Sequence, residues 1–228
     1  MSVVLERADA RRYWFFAKRL GAAVLDLIFP PRCAGCGRVG SLLCSACQAQ
    51  MRAARPIPVY APNLRAVSAA VFGGPWRHAI HALKYEGQRA LAPALAAFLP
   101  PLPEGAQPDL IVPVPLFPGR EKWRGYNQSA LLAEALGARL GLDVCADALR
   151  RVRDTRSQVG LSRQERQRNV SDAFTARADR VAGRRVLLVD DVVTTGATLS
   201  ACAASLYRAG AAEVWAATLA CALPVTAA

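Results

Sequence analysis

The sequence predicts an α/β fold, a parallel sheet flanked by helices, with a small metal-binding segment in front of it. Three observations lead to this prediction. Apolar strand-like runs alternate with helix-like stretches from residue 66 onward. The run VLLVDDVVTTGATL at residues 186–199 starts with an uninterrupted apolar stretch, as expected of a strand covered on both faces. Two CxxC pairs lie between residues 33 and 47.

Length, charge and cysteine content limit the classes of protein. A chain of 228 residues can hold one α/β domain of about 160 residues and a small appendage. The net charge of +12 comes mostly from arginine. It indicates either a polyanion partner or a coding bias that replaces Lys with Arg, although such a bias does not explain the excess of basic over acidic residues. No apolar run approaches the about 20 residues of an integral membrane segment. Seven cysteines, four of them in CxxC pairs, favour a cytoplasmic protein.

The front of the chain predicts two small units. Residues 1–29 form a predicted N-terminal helical segment with apolar side chains at helical spacing. Residues 30–52 contain a CxxC pair, a seven-residue spacer and a second CxxC pair, so that four thiolates can reach one tetrahedral ion. These ligands are Cys33, Cys36, Cys44 and Cys47. A closed site of this kind predicts structural zinc, which stabilises a segment too small to fold alone, with an iron–sulfur cluster as the alternative.

The remaining elements follow in order. The Pro-rich residues 53–65 predict an extended linker, and residues 66–228 the main domain. In that domain we expect strands and helices that alternate along the chain. The strands are expected at 66–72, 110–114 and from Val186, and the helices at 75–85, 90–98, 129–140 and 199–209.

The segment that follows the strand from Val186 predicts a ribose 5-phosphate pocket. Asp190 and Asp191 precede a Thr/Gly turn that opens a helix. Such a turn directs backbone N–H groups and hydroxyls at one point, where the helix dipole also favours an anion. The carboxylates suit ribose hydroxyls or a magnesium ion. The turn consists of Thr194, Thr195, Gly196, Ala197 and Thr198.

Two further segments supply arginines for a pyrophosphate. Arg120 and Arg124 follow the strand at 110–114, at the edge where open α/β sheets bind ligands. Residues 150–170 carry seven arginines against two acidic residues. This stretch predicts a mobile loop that closes over pyrophosphate and presents Arg156, or else a basic surface that faces solvent or nucleic acid.

Several motifs together resemble one family. The chain contains CxxC…CxxC, Leu83-Lys84-Tyr85, PVPLxxxRxxxRGYNQ, TRSQVGLSxxER and LLVDDVVTTGATL in this order. The set resembles the ComF family, a bacterial group linked to DNA uptake in natural competence, over about residues 25–222. The resemblance implies a type I phosphoribosyltransferase fold with an N-terminal zinc ribbon. It also implies an association with a helicase-like ATPase and single-stranded DNA, and it marks Lys84 as a phosphate contact.

Two classes of function remain open. In the first, the protein binds phosphoribosyl pyrophosphate (PRPP) or another phosphoribosyl compound with Mg²⁺ at Asp190 and Asp191. The turn at 194–198 then holds the 5′-phosphate, while Arg120, Arg124, Arg156 and Lys84 face the pyrophosphate. If the phosphoribosyl group is transferred, Asp190, Asp191 and Arg156 are the expected catalytic residues. In the second, the protein is a non-catalytic adaptor that binds single-stranded DNA and a helicase-like ATPase partner.

Overall fold

The computed structural model describes residues 30–61, 64–102, 105–153 and 173–222. The predicted helical segment at 1–29 and most of the predicted basic loop, Arg156 included, lie outside these ranges. No helix within the described ranges is both long and apolar enough to cross a membrane.

A six-stranded sheet lies at the centre of the fold. Its strands are β1 (Ile57–Ala61), β2 (Leu64–Val71), β3 (Leu110–Pro113), β4 (Asp143–Val144), β7 (Arg185–Val193) and β8 (Glu213–Cys221). Their spatial order is β1-β2-β8-β7-β3-β4, and all neighbours are parallel except β1 and β2. A separate antiparallel pair consists of β5 (Leu149–Arg151) and β6 (Phe174–Ala176). The predicted parallel α/β sheet is confirmed, with one antiparallel edge strand.

The segment predicted as a linker differs in the structure. Residues 57–61 form β1 and residue 64 begins β2, so the main sheet starts at Ile57 and not near Ala66. β1 is an edge strand that pairs only with β2. An edge position tolerates Pro58, which has no N–H to donate to a ladder. The prolines that obscured the strand in the sequence are therefore compatible with its place in the sheet.

Seven helices pack around these strands in the described ranges. They are α1 (Ser45–Arg52), α2 (Gly74–Tyr85), α3 (Ala92–Ala96), α4 (Pro118–Arg124), α5 (Gln128–Leu140), α6 (Ala178–Val181) and α7 (Ala197–Arg208). The sequence predicted α2, α5 and α7 closely but no helix at α4, where it placed only Arg120 and Arg124 after the strand at 110–114. Pro118 occupies the first helical position of α4, where a missing N–H costs nothing, and Gly125 ends the helix at φ 80°.

Two apolar clusters cover the two faces of the sheet. Successive residues of β7 alternate between them, with Leu187 and Val189 in one cluster and Val186 and Leu188 in the other. The first cluster includes α2, α5 and cysteines of the CxxC pairs, and the second includes α7 with the β5–β6 pair. Because both faces are covered, polar chemistry on β7 is confined to its carboxyl end.

Candidate functional site

Strand β7 carries two adjacent carboxylates into the interior. The strand continues to Val193, so Asp190 and Asp191 lie within it and not after its end, and Asp190 is opposite Thr218 of β8. Asp190 is 9% exposed and Asp191 is 2% exposed. Two buried carboxylates destabilise a fold unless other groups compensate them. The compensating groups come from other elements.

Each carboxylate has its own partner. The Ser129 hydroxyl donates to Asp190 Oδ1 at 2.7 Å, and the backbone N–H of Asp191 donates to the same oxygen at 2.9 Å. Lys84 Nζ, in the last turn of α2, lies 2.5 Å from Asp191 Oδ2. Gln128 Nε2 lies 3.5 Å from Asp191 Oδ1. The ends of α2, α5 and β7 therefore meet at this acidic pair.

Gln128 joins the acidic pair to α4. Arg124 Nη1 donates to Gln128 Oε1, so this guanidinium is one side chain removed from Asp191. Arg120 lies one helical turn earlier on α4 and is exposed. Asn127 fixes the start of α5, because its side chain accepts from the N–H of Ser129 at 2.9 Å and donates to the Val114 carbonyl at 3.0 Å.

The acidic pair has unusual electrostatics. Burial, reinforced by the charge of Asp191, raises the pKa of Asp190 to about 7. Lys84 and the Ser129 hydroxyl act in the opposite direction. Burial acts to lower the pKa of Lys84, but Asp191 and Asp190 raise it overall. The lysine is therefore charged at neutral pH, while Asp190 titrates in the physiological range.

The turn after β7 has the features of an anion cradle. Gly196 adopts φ 74°, a left-handed conformation that glycine reaches without strain, and α7 begins at the next residue. Thr194 and Thr195 are exposed, and Thr195 Oγ1 accepts from the Ala197 N–H at 3.4 Å. The first N–H groups of a helix have no partner within the helix and favour an anion. The predicted phosphate turn thus begins three residues after Asp191, where β7 ends.

The four predicted cysteine ligands lie together. The Sγ atoms of Cys33, Cys36, Cys44 and Cys47 all lie within 4.8 Å of one another. Burial acts to raise the pKa of Cys33, but backbone N–H groups, above all that of Cys44 at 3.3 Å, lower it to about 6. Burial and the neighbouring thiols raise the pKa of Cys47. Four converging thiols are a donor set that fits tetrahedral zinc.

The cysteine cluster is attached to α2. The His78 Nδ1–H donates to the Gly35 carbonyl at 3.0 Å. A Cβ at Gly35 would lie 2.7 Å from Cys47 Sγ and 3.1 Å from Pro75 Cβ, so this close approach requires glycine. The N-cap residue of α2 makes no side-chain hydrogen bond. The cluster therefore contacts the first half of the helix that ends at Lys84, whose buried face, with Trp76 and Ile80, packs in the core.

The structure brings together most of the predicted residues and adds two. Lys84, Asp190 and Asp191 form one contact group, Arg124 reaches it through Gln128, and the Thr/Gly turn follows it in the chain. Arg156 lies outside the described residues. The sequence missed Ser129 and Gln128 as partners of the carboxylates. Their only signal in the sequence was the polar triplet Asn-Gln-Ser at residues 127–129, which follows β3 and α4, and β3 lies next to β7 in the sheet.

Family models match two parts of the chain. A double zinc ribbon domain matches residues 24–57, and a phosphoribosyl transferase domain matches residues 127–224. Together with the sheet and the four-cysteine cluster, these matches define a phosphoribosyltransferase-domain protein with an N-terminal zinc ribbon. Among solved structures, the allosteric regulatory enzyme of purine biosynthesis is similar to this chain with a TM-score of 0.41 and 20% sequence identity. The similarity covers 61% of this chain and 30% of that enzyme's chain.

Curated relatives identify the family. The DNA utilization protein YhgH of Escherichia coli K12 is 36% identical over 199 residues, which cover 80% of this chain and 86% of that protein. Competence protein F of Haemophilus influenzae is 39% identical over 109 residues, 47% of this chain and 48% of the relative. Competence protein ComFC of Streptococcus pneumoniae is 31% identical over 131 residues, which cover 58% of this chain and 56% of that protein. The chain belongs to the ComF family, as its motifs predicted.

Proposed function

We propose that the protein binds PRPP or another 5-phosphoribosyl compound with Mg²⁺ at the acidic pair of β7. The observation that carries this proposal is the buried pair Asp190 and Asp191, which only two residues separate from the turn at 194–198. The turn holds the 5′-phosphate, and the carboxylates hold ribose hydroxyls and the metal ion. Lys84 and Arg124, with Arg120 one turn away, face the pyrophosphate.

Lys84 has a second task in this proposal. Its ammonium neutralises the buried Asp191 carboxylate in the ligand-free protein. If Asp191 held a metal ion, the Lys84 ammonium would be released to contact the pyrophosphate oxygens. The site would then exchange one cation for another and avoid an uncompensated buried charge.

Transfer of the phosphoribosyl group is the chemistry that such a site supports. The bond between C1 of the ribose and the pyrophosphate oxygen breaks, the electron pair leaves with the pyrophosphate, and an acceptor bonds to C1. Mg²⁺ contributes charge neutralisation of the leaving group when it is bound. Lys84 and Arg124 stabilise the same developing negative charge. The role of Arg156 at the leaving group stays a prediction from the sequence.

A double variant tests the binding site. Asp190→Asn with Asp191→Asn should abolish calorimetric binding of PRPP with Mg²⁺, because both the metal ligands and the diol acceptors lose their charge. Circular dichroism should remain that of the folded protein. Asp109→Asn is the matched control, since Asp109 pairs with Arg185 at the opposite end of β7 and should keep the affinity. Unchanged affinity in the double variant would refute the assignment.

A second candidate function is single-stranded DNA handling. Helix α4 buries no residue, yet it carries Arg120, Lys122 and Arg124 and exposes 74% of Trp123. The net charge is +12, and the names of the relatives refer to DNA utilization and competence. We propose an adaptor that binds single-stranded DNA and a helicase-like ATPase. Either function places the protein in the cytoplasm, where the zinc-binding thiols stay reduced.

A further inference from the structure

A row of aromatic rings lies on the surface beside the acidic pair. His81 and Tyr85 lie one turn apart on α2 with ring centroids 4.8 Å apart, and Trp123 of α4 lies 6.5 Å from Tyr85. We call these three side chains the aromatic row. Lys84 and Arg124, the chain neighbours of Tyr85 and Trp123, reach Asp191 directly or through Gln128. The row therefore borders the proposed phosphoribosyl site.

Folding does not account for the exposure of these rings. Tyr85 is 53% exposed and Trp123 is 74% exposed. The two other tryptophans in the described residues, Trp76 and Trp215, are 5% and 4% exposed. Burial of an aromatic side chain is among the largest apolar gains in folding, so adjacent exposed rings indicate a binding surface.

Cations surround the row. The Arg124 guanidinium lies 5.2 Å from the centroid of the Tyr85 ring, and Lys122 precedes Trp123 on the exposed helix α4. Arg89 lies 4.4 Å from the centroid of the Tyr126 ring and donates to the Gly125 carbonyl at 3.0 Å. The acids near the row are Glu86, which His81 contacts at 3.2 Å, and the acidic pair, in which Asp191 is paired with Lys84. Helix α4 itself carries three cations against the one carboxylate of Glu121. This excess of positive charge favours a polyanion over a protein partner.

We propose that the aromatic row binds single-stranded nucleic acid, with unpaired bases stacked on Tyr85 and Trp123 and phosphates contacted by Lys122 and Arg124. The proposal rests on the second candidate function and assigns it a surface. Stacking on aromatic side chains combined with cationic contacts along the backbone is how proteins hold single strands. A duplex is excluded because its base faces are covered by their own stacking. The row differs from the surface that the sequence offers as one alternative for nucleic acid, the basic segment at 150–170, most of which lies outside the described residues.

Fluorescence anisotropy of a labelled oligothymidine of about 20 nucleotides, longer than one typical site, tests the row. Trp123→Ala and Tyr85→Ala should each weaken binding by about 5- to 150-fold, because each removes one stacking platform. Trp123→Phe and Tyr85→Phe should retain most of the affinity, since a ring remains. The matched control is Leu140→Ala, an exposed apolar side chain at the end of α5, which should bind as the wild type does.

Salt dependence separates stacking from charge. The aromatic variants should keep the wild-type slope of log K against log salt, because they remove no phosphate contact. Lys122→Gln should reduce the magnitude of that slope by about 0.7, the value for one phosphate contact on a single strand. A variant that weakened binding through misfolding would instead lose the circular dichroism of the folded protein.

Three outcomes overturn the proposal in distinguishable ways. If the wild type does not bind the oligothymidine, the DNA function fails together with the row, while the phosphoribosyl site is judged by its own titration. If the wild type binds and both alanine variants bind equally well, the DNA function stands and the row belongs to a protein contact. If the alanine variants bind more weakly and also show a smaller slope of log K against log salt, the rings act by positioning the cations and not by stacking on bases.

Discussion

Asp190 and Asp191 are adjacent in one strand but have different partners. Asp190 accepts from a hydroxyl and a backbone N–H, whereas Asp191 contacts an ammonium. Burial of Asp190, reinforced by the negative charge of Asp191, raises the pKa of its carboxyl to about 7. A raised carboxyl pKa stabilises the fold below the unfolded value of about 4, and this contribution is lost as pH rises through about 7. At alkaline pH, the ligand-free protein therefore buries Asp190 as a charged carboxylate, which is the form that favours the folded state least.

Binding of PRPP with Mg²⁺ should consequently tighten as pH rises toward 7. A metal ion binds the carboxylate form, so binding at pH 6 must displace the proton of Asp190. We expect affinity to fall by about tenfold per pH unit below 7 and to level off above it. Calorimetry at pH 6 in buffers with different ionisation enthalpies measures the released proton.

Ser129→Ala provides the internal check on that pH dependence. The Ser129 hydroxyl stabilises the charged form of Asp190 and lowers its pKa, so its removal should shift the midpoint of the affinity profile to higher pH. A profile that is flat between pH 6 and 8 in the wild type, or a midpoint that Ser129→Ala leaves in place, would show that Asp190 is not the metal ligand.

At the scale of elements, α2 connects the zinc ribbon to the acidic pair. His78 near its start donates to Gly35 of the ribbon, and Lys84 in its last turn contacts Asp191. Lys84 lies six positions after His78, which corresponds to a rise of about 9 Å along the helix. The ribbon contact and the core packing of Trp76 and Ile80 together hold the helix in position. Displacement at one end is expected to move the ammonium at the other.

His78→Ala should therefore weaken the binding of PRPP with Mg²⁺. Loss of one hydrogen bond corresponds to about 2- to 12-fold in affinity if it is fully transmitted to Lys84. His81→Ala is the matched control, because His81 lies on the same helix but contacts Glu86 and Tyr85 at the surface. Isothermal titration of both variants, with zinc content checked by elemental analysis, measures the effect.

A double-mutant cycle identifies the route of this coupling. If His78 acts by positioning the lysine, adding His78→Ala to Lys84→Ala should cause no further loss of affinity. Additive losses in the double variant would mean that His78 acts on the site by another route or only on general stability.

At the scale of the whole molecule, the zinc ribbon and the main domain share one core. The buried side chains of Cys33, Cys47 and Met51 belong to the same apolar cluster as Ile80 of α2 and Leu187 of β7. The ribbon is therefore part of the packing on one face of the sheet and not an independent appendage. Loss of the metal ion should weaken the domain as well as the ribbon.

Cys44→Ser should remove zinc and lower the melting temperature of the whole protein in a single transition. We expect a decrease of about 3 °C for each kcal/mol of stability lost in a chain of this size. Cys145→Ser, which changes a cysteine outside the cluster, should keep one zinc ion per chain. Elemental analysis and calorimetry measure both quantities. Wild-type protein without zinc, or with iron and a visible absorption band, would contradict the structural-zinc assignment.

Short stretches of the sequence were sufficient to predict much of the fold and of the candidate sites. The spacing of Cys33 to Cys47 identified the metal site, and the acidic pair before the Thr/Gly turn identified the candidate phosphate site, because the functional groups are close in the chain. Strand β1 and helix α4 were missed because prolines weaken the local signals for both. An edge strand and a first helical turn nevertheless accept proline.

Only the tertiary structure decided which side chains meet. The partners of the acidic pair come from α2 and α5. The motif resemblance placed Lys84 at the ligand, but no pattern along the chain paired Lys84 or Ser129 with a carboxylate of β7. The sheet order places β3 beside β7, so the residues that follow β3 meet the acidic pair. Helix α2 packs on the face of the sheet that carries Leu187 and Val189, and this packing brings Tyr85 next to Trp123 of α4. Such contacts depend on long-range packing, and the local periodicity of the sequence does not encode them.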